Sequence, residues 1–308
     1  MGSAESLSLN YIIKPKTTEG SDMADKFTEV RIVDNFYQTS SFFPMPVVLV
    51  STLAASGQTN LGPYSLCFPH NITGGKDHAM MLIARGTSNT ATNIIRTRVC
   101  ALNFIPHKKK YLKNCVMLGY PGETTEEKMK NSIFTLIPST RHETQKSVFY
   151  PDIVNEAVQV FECTWDDSYP LKPREDLVES HFLLRIDKLV MKEKWRDCLL
   201  KGKGFPSLPI DYGYRDNVRF WFSRQWRPYA VNIPKEKGNK IETVKYACDR
   251  FDPDITWEDA ACAKIVKVPN IFLNKVISGV VKAAKEQGIT VITPEFMDKI
   301  RDKRSAEK

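Results

Sequence analysis

The segment 85–93 combines a cation with several hydroxyl side chains, a composition that suits an anion-binding site. Ser88 or Asn89 is a plausible N-cap for a short helix over 90–97, and helix N-termini attract phosphate groups. Arg85 would add a charge-assisted hydrogen bond. An ordinary turn with capping residues has the same composition, so both interpretations stay open. The candidate phosphate ligands are Arg85, Thr87, Ser88, Asn89, Thr90 and Asn93.

A second candidate segment, 60–67, precedes the first. Gly62 and Pro63 interrupt its strand-like pattern, which predicts an irregular backbone with main-chain amides free to contact a ligand. The alternative is a plain sheet strand, and Cys67 fits a small buried thiol better than a redox-active one. The candidate binding residues here are Asn60, Pro63, Tyr64, Ser65, Leu66 and Cys67.

Two histidines are candidates for proton transfer or substrate orientation. His181 is the catalytic candidate, although a structural histidine on a strand explains it equally well, and His70 is the second candidate. An aromatic and basic cluster could cover a planar ligand, stack on nucleic-acid bases or pack at a dimer interface. Its members are Trp221, Arg224, Trp226 and Arg227. The sequence contains no Walker loop, GxGxxG, HExxH or metal-ligand spacing, so no metal is expected.

The bulk composition is that of an ordinary globular protein. The 308 residues are 42% hydrophobic and 26% charged, and the formal net charge is +8. The charge favours anionic partners such as phosphorylated cofactors or nucleic acid, or it serves solubility alone. Seven cysteines without CxxC spacing argue against a disulfide framework or a zinc ribbon. With no apolar run long enough for a bilayer, we expect a cytoplasmic protein that does not contact membranes.

The elements that must position these residues are mostly strands. Apolar, β-branched runs predict strands over 47–53, 60–68, 80–84, 99–104, 158–165 and 181–192, the first of them buried on both faces. A hairpin turn is expected at 54–57, and a capping sequence at 124–127 predicts a helix to residue 131. Residues 196–240 are expected to be irregular. Helices are predicted over 257–266, 270–287 and 293–303, with Thr256 and Thr293 as N-caps.

The order of these pieces resembles the flavin reductase-like family, whose fold is the FMN-binding split β-barrel. The matching segments are 46–50, Gly57, 60–65, 80–84, 88–94, 101–104, 156–163 and His181. The resemblance implies a mainly β fold with α-helices, a homodimer, FMN as cofactor and NAD(P)H as a possible electron donor. It also implies that segment 60–67 holds the flavin ring, segment 85–93 holds the phosphate, and His181 meets the incoming substrate. One position departs from the family, because Ile186 stands where members commonly have a glycine.

A shorter resemblance covers the C-terminus. The segments 257–260, 268–269, 280–288 and 292–296 resemble the small helical domain at the C-terminus of a light-independent protochlorophyllide reductase subunit. This implies a redox or tetrapyrrole neighbourhood and says little about chemistry. The expected organisation is therefore a flexible arm over 1–25, a split barrel with insertions over 26–250 and a three-helix module over 251–308.

Three functions follow from the sequence as hypotheses. The leading one is an FMN-dependent oxidoreductase, similar to NAD(P)H:flavin reductases that deliver reducing equivalents to a small molecule or a protein partner. The alternative is a non-enzymatic flavin or tetrapyrrole-binding module for electron transfer or docking. A nucleic-acid-binding protein is the third, and no recognisable motif supports it.

Overall fold

The computed structural model describes residues 27–72, 78–120, 122–143, 149–201, 203–216, 218–224, 228–231 and 241–306. The predicted arm over 1–25 lies outside these ranges, as do Trp226 and Arg227. The described strands are β1 (Met45–Pro46), β2 (Val48–Leu53), β3 (Thr59–Tyr64), β4 (Cys67–Asn71), β5 (Ala79–Arg85), β6 (Val99–Phe104), β7 (Leu136–Ile137), β8 (Ile153–Val154), β9 (Gln159–Asp166), β10 (Glu179–Met191), β11 (Pro209–Asp216), β12 (Arg219–Arg224), β13 (Thr256–Trp257) and β14 (Val291–Ile292). The described helices are α1 (Phe36–Thr39), α2 (Asn89–Thr97), α3 (Lys109–Leu118), α4 (Thr125–Met129), α5 (Glu193–Leu200), α6 (Ile241–Phe251), α7 (Asp259–Ala263), α8 (Asn270–Glu286) and α9 (Pro294–Ala306).

Seven antiparallel strands form the main sheet, in the order β3-β2-β6-β9-β10-β5-β4. Its two edge strands, β3 and β4, are consecutive in the chain and are joined only by Ser65 and Leu66. Three peptide links keep the Cα atoms of Tyr64 and Cys67 within about 11 Å. The sheet must therefore curl until its edges approach each other, and it forms a split β-barrel. The predicted fold class is confirmed.

Both faces of this sheet are covered, as the sequence of strand β2 predicted. Val48 and Val50 are fully buried in one core, which also contains Ala91 and Ile94 of α2. Leu49, between them, is fully buried in a second core on the opposite face, together with residues of α3. Successive strand residues point to opposite faces, so a strand with apolar residues at every position belongs at the centre of such a layered structure.

The prediction of one strand over 60–68 is wrong. β3 pairs with β2 in an unbroken register from Thr59 to Tyr64, whereas β4 pairs with β5 at the other edge of the sheet. The backbone irregularity expected within this segment falls at Ser65 and Leu66, where the chain changes its partner strand.

The prediction that 196–240 is irregular is also wrong for most of the described residues, while 225–227 and 232–240 lie outside them. α5 extends to Leu200, and β11 and β12 form an antiparallel hairpin whose other neighbour is β1. Met45 pairs with Asp211 and Pro46 with Ile210. This small three-stranded sheet places residues 209–224 beside the start of the barrel. The helices α3 and α6 were not predicted either.

The C-terminal helices surround a core of their own. Buried residues of α6, α7, α8 and α9 pack together with Trp257 and Ile292, which are register partners in the parallel pair β13 and β14. α7, α8 and α9 are the three helices predicted after residue 251. Thr293 accepts a hydrogen bond from the Phe296 amide at 3.3 Å, as expected of an N-cap. The prediction for Thr256 is wrong, because it lies in β13 and α7 begins after Glu258. The domain boundary between residues 250 and 251 stays a prediction.

None of the helices in the described part of the chain is long and apolar enough to cross a membrane.

The buried side chain of Lys128 in α4 should make the stability of the protein depend on pH. Its ammonium group is buried against the Leu118 carbonyl oxygen, and burial lowers its pKa from 10.5 to about 8. Below pH 8 both the folded and the unfolded chain hold this proton, and the folded chain bears the cost of burying the charge. Between the two pKa values only the unfolded chain holds the proton, so the free energy of unfolding rises with pH there.

We therefore expect Lys128→Met to raise the free energy of unfolding at pH 7 by up to about 3 kcal/mol. The advantage of the variant should shrink toward zero at pH 10, because the wild-type amine is then neutral in the folded chain. Urea unfolding of both proteins at the two pH values measures this difference. An advantage of equal size at pH 7 and pH 10 would contradict the expectation.

Candidate functional site

A cleft of about 1220 Å³ lies between two walls of the molecule. One wall, here called the barrel wall, consists of residues at the ends of β3, β5 and β10, chiefly Pro63, Tyr64, Ser65, Leu66, Ile83, Arg85 and His181. The other, here called the added wall, belongs to the segment around α1 and to β11 and β12; its cleft residues are 34–38, Phe43, Asp211, Val218, Phe220 and Phe222. A concave space with a few convergent polar groups is the usual form of a ligand site.

The end of β3 and the turn after it form the centre of the barrel wall. Four of the predicted ring-binding residues line the cleft here, namely Pro63, Tyr64, Ser65 and Leu66. The turn is held at both ends, because the Cys67 amide donates to Ser65 O and the Ile83 amide donates to Leu66 O, each at 2.9 Å. β3 is an edge strand of the sheet, and none of the described strands pairs with its outer edge.

Arg85 and the first turn of α2 lie next to this turn. Arg85 lines the cleft, and its charge acts on the Tyr64 phenol, whose pKa is raised chiefly by burial. The Tyr64 hydroxyl is 3.1 Å from Ser88 Oγ, and Ser88 is the N-cap of α2, accepting from the Ala91 amide at 3.1 Å. The first turn of α2 contains no acidic residue. A helix N-terminus of this kind favours an anion.

The other predicted ligands lie elsewhere. Thr87, Ser88 and Asn89 are at the start of α2 without lining the cleft, and the Asn89 side chain donates to the Glu123 carbonyl at 3.0 Å. Asn60 and Asn93 each donate from Nδ2 to Thr52 Oγ1 at 3.1 Å, inside the protein. Thr90 and Cys67 are buried as well, and burial raises the pKa of the Cys67 thiol far above its usual range.

His181 lines the cleft, and His70 does not. His181 is the register partner of Ile83 across β10 and β5, and both side chains reach the cleft. Partial burial lowers the pKa of His181, so the imidazole is neutral at pH 7. His70 is exposed and packs edge to face on Tyr169, with ring centroids 5.7 Å apart. Ile186, the departure from the family pattern, packs against the barrel core.

Two members of the predicted aromatic and basic cluster, Trp221 and Arg224, do not line the cleft, and the other two, Trp226 and Arg227, lie outside the described residues. Trp221 is 47% exposed, and Arg224 donates to Ser207 Oγ at 3.3 Å. Its neighbours on β12, Phe220 and Phe222, line the cleft instead. Because side chains alternate along a strand, Phe220 and Phe222 share the face opposite to Trp221.

The added wall supplies the residues that sequence reasoning missed. Asp211 is 5% exposed, and one of its carboxylate oxygens accepts from the Gly213 amide at 2.7 Å. Burial raises the pKa of Asp211, and the Ser65 hydroxyl opposes this by hydrogen bonding. Tyr37 of α1 also has a raised pKa, from burial and from the nearby Asp211 charge. No local motif marks these residues, because the pairing of β1 with β11 brings them to the cleft.

Gly62 is required where β3 passes the start of α2. A Cβ atom at this position would lie 2.5 Å from Thr90 Oγ1 and 3.0 Å from Tyr64 Cε2. We expect Gly62→Ala to lower the free energy of unfolding by about 1–3 kcal/mol, as overpacked substitutions do. Thermal or urea unfolding measures this cost. Thr90→Ala in the same chain should recover part of it, and no recovery would show that the cost has another origin.

The chain is similar to several solved structures of known proteins. No family model and no curated protein matches this chain. The similar solved structures include nitrilotriacetate monooxygenase component B from Bacillus cereus (16% identity, TM-score 0.49, covering 69% of this chain and 100% of that one). They also include flavoredoxin from Methanosarcina acetivorans (16%, 0.48, 67% and 95%) and 2-nitrobenzoate 2-nitroreductase from Pseudomonas fluorescens (18%, 0.48, 64% and 88%). At these identities and TM-scores the comparisons assign no function to this chain.

Proposed function

We propose that the chain is an FMN-binding oxidoreductase with the flavin in the cleft. The observation that carries this proposal is that Arg85 and the turn after β3 line the same wall of the cleft, while the N-cap of α2, Ser88, follows Arg85 by three residues and contacts Tyr64 of that wall. The ordered resemblance to the flavin reductase-like family, stated above from the residues, supports the same conclusion. Neither feature alone would be specific.

The residues present fit the chemical demands of FMN. The phosphate needs a cation and hydrogen-bond donors, which Arg85 and the first-turn amides of α2 can supply, since the first amides of a helix have no intrahelical acceptor. The ring needs a flat apolar surface and main-chain groups at its edge. Pro63 and Leu66 offer the surface, and the unpaired edge of β3 offers main-chain groups.

FMN, when bound, supplies the hydride or electron transfer, and the protein supplies position and electrostatics. Ser65 and its neighbours would hold the ring, and Arg85 with Thr87, Ser88 and Asn89 would hold the phosphate. His181, neutral at pH 7, can accept a proton from a substrate or donate its own N–H hydrogen bond to it. Asn60, Cys67, Thr90 and Asn93 would act indirectly, by fixing the strand and the helix that carry these groups.

The alternative is a module that holds flavin or a tetrapyrrole for electron transfer without its own substrate. The helical C-terminal unit would then serve as the docking surface for a larger redox complex. One experiment separates the two proposals: an absorbance spectrum of the purified full-length protein, repeated under anaerobic conditions after NADH and after NADPH. Rapid bleaching of the flavin band favours the oxidoreductase and identifies its donor. A yellow protein that NADH and NADPH reduce only slowly favours the carrier, and a colourless protein with no affinity for FMN contradicts both.

We also propose a homodimer. The cleft is open, and large apolar side chains including Phe27, Ile32, Phe42, Phe205 and Tyr229 are more than half exposed. Burying such side chains against a second copy would stabilise the pair. Light scattering of the full-length protein should give twice the chain mass, and a concentration-independent monomer would overturn the proposal.

A further inference from the structure

The charge of the cleft is opposite to that of the chain. The protein carries a net charge of +8, but among the described residues that line the cleft, four are acidic, Asp34, Asp176, Glu179 and Asp211, and one is an arginine, Arg85. Asp176 pairs with Arg174. Among the described residues, no ion pair is found for Asp34, Glu179 or Asp211. A low-dielectric cleft with one sign of charge concentrates ligands of the other sign.

Asp211 is the most enclosed of these carboxylates. Its position is fixed by the 2.7 Å hydrogen bond from the Gly213 amide. Gly213 has a φ of +69°, and a Cβ there would lie 2.3 Å from the Gln38 side chain, so this turn packs tightly onto α1. A carboxylate has about four acceptor positions, of which the Gly213 amide occupies one. Asp211 therefore keeps the capacity to accept hydrogen bonds from a ligand.

Aromatic rings line the added wall together with this carboxylate. Phe36, Tyr37, Phe43, Phe220 and Phe222 all line the cleft. The rings of Phe220 and Phe222 are stacked, with centroids 6.0 Å apart and planes 19° apart. Aromatic faces attract cations and also pack on planar ligands. Rings and carboxylates together suit a flat organic molecule with a positive charge.

We propose that the added wall binds a planar, positively charged organic ligand, an aromatic amine for example, with its cationic group at Asp211. This extends the proposed function by naming the substrate class, and it rests on that function only in placing FMN on the barrel wall opposite. The Arg85 end of the cleft then binds the phosphate of the cofactor, and the Asp211 end binds the cationic group of the substrate.

The test uses three probes of one shape and three charges: tryptamine, tryptophol and indole-3-acetate. Calorimetric titrations of the full-length protein at pH 7, with and without FMN, should show tryptamine binding at least about tenfold tighter than indole-3-acetate. Asp211→Asn should weaken tryptamine binding about tenfold, equivalent to about 1.4 kcal/mol, and leave tryptophol binding unchanged. The matched control is Glu175→Gln, which removes an exposed acid near the cleft that does not line it; it should change tryptamine binding less than twofold.

Equal or tighter binding of indole-3-acetate would overturn the proposal, as would an unchanged preference for tryptamine over tryptophol in Asp211→Asn. If that variant does not fold, Asp34→Asn combined with Glu179→Gln removes two rim charges and should weaken tryptamine binding about threefold; no weakening would also overturn the proposal. FMN affinity is measured separately. Tryptamine preference without FMN binding would refute the proposed function alone, and FMN binding without the preference would refute this inference alone.

Discussion

Arg85→Ala is expected to weaken FMN binding about 30-fold, equivalent to about 2 kcal/mol, the usual size of a hydrogen bond to a charged group. Among the described residues that line the cleft, Arg85 is the only lysine or arginine, and it lies beside the N-terminus of α2. The remaining helix amides would still attract the phosphate, so binding should be weakened and not abolished. Quenching of flavin fluorescence during titration measures the change.

Two further variants and one ligand define the role of Arg85. Arg85→Lys keeps the charge without the planar guanidinium, so its loss should be intermediate. Arg196→Ala removes an exposed arginine of α5 that does not line the cleft and should change nothing. Riboflavin lacks the phosphate, and its affinity should be the same for wild type and Arg85→Ala. A loss below threefold for FMN, or an equal loss for riboflavin, would place the phosphate elsewhere.

Glu162→Leu is expected to lower the free energy of unfolding by about 3 kcal/mol or more. Glu162 lies on β9 at the centre of the sheet and is 1% exposed. Its carboxylate accepts from the Ser139 hydroxyl and from both the amide, at 3.1 Å, and the hydroxyl of Thr140. Leucine would leave three donors without this acceptor, the buried Ser139 hydroxyl and the partly buried amide and hydroxyl of Thr140, and unsatisfied donors away from water are costly.

Urea unfolding of matched variants separates this cost from the loss of a charge. Glu162→Gln keeps one acceptor oxygen and the shape, so its cost should be smaller than that of Glu162→Leu. Glu156→Leu is the control on the same stretch, because Glu156 accepts only from the more exposed Thr135 amide; its cost should stay below about 1 kcal/mol. Equal costs for Glu162→Leu and Glu156→Leu would show that the buried network contributes little.

The parts of the fold that sequence predicted are those governed by local rules. Ser88 caps α2 because a side-chain oxygen and an amide three residues later meet within one turn, and the Thr124 and Glu127 side chains form the predicted capping box for the same reason. β2 was predicted from its apolar run, since only a strand covered on both faces tolerates such a sequence. The site segments could be predicted because the order of the motifs is a property of the chain itself, and their role in binding stays a prediction.

The parts that sequence missed depend on long-range pairing or on side-chain direction. Asp211 reaches the cleft because its strand, β11, pairs with β1. β1 has only two residues, which is too short to show the alternating pattern that predicts a strand. Asparagine is a residue type that often binds ligands, yet both Asn60 and Asn93 donate hydrogen bonds to Thr52 Oγ1 in the interior of the protein. Whether a polar strand or helix residue faces a ligand or the interior depends on its neighbours in space. Composition alone cannot decide that.

The most direct measurement of the central claim is a fluorescence titration of FMN with the purified full-length protein. An FMN site in the cleft should give quenching that saturates at one FMN per chain with a Kd below about 10 µM, and a clearly higher Kd for riboflavin because the phosphate contributes. Flavin fluorescence that stays unquenched, or equal affinities for FMN and riboflavin, would contradict the assignment of the cleft as an FMN site.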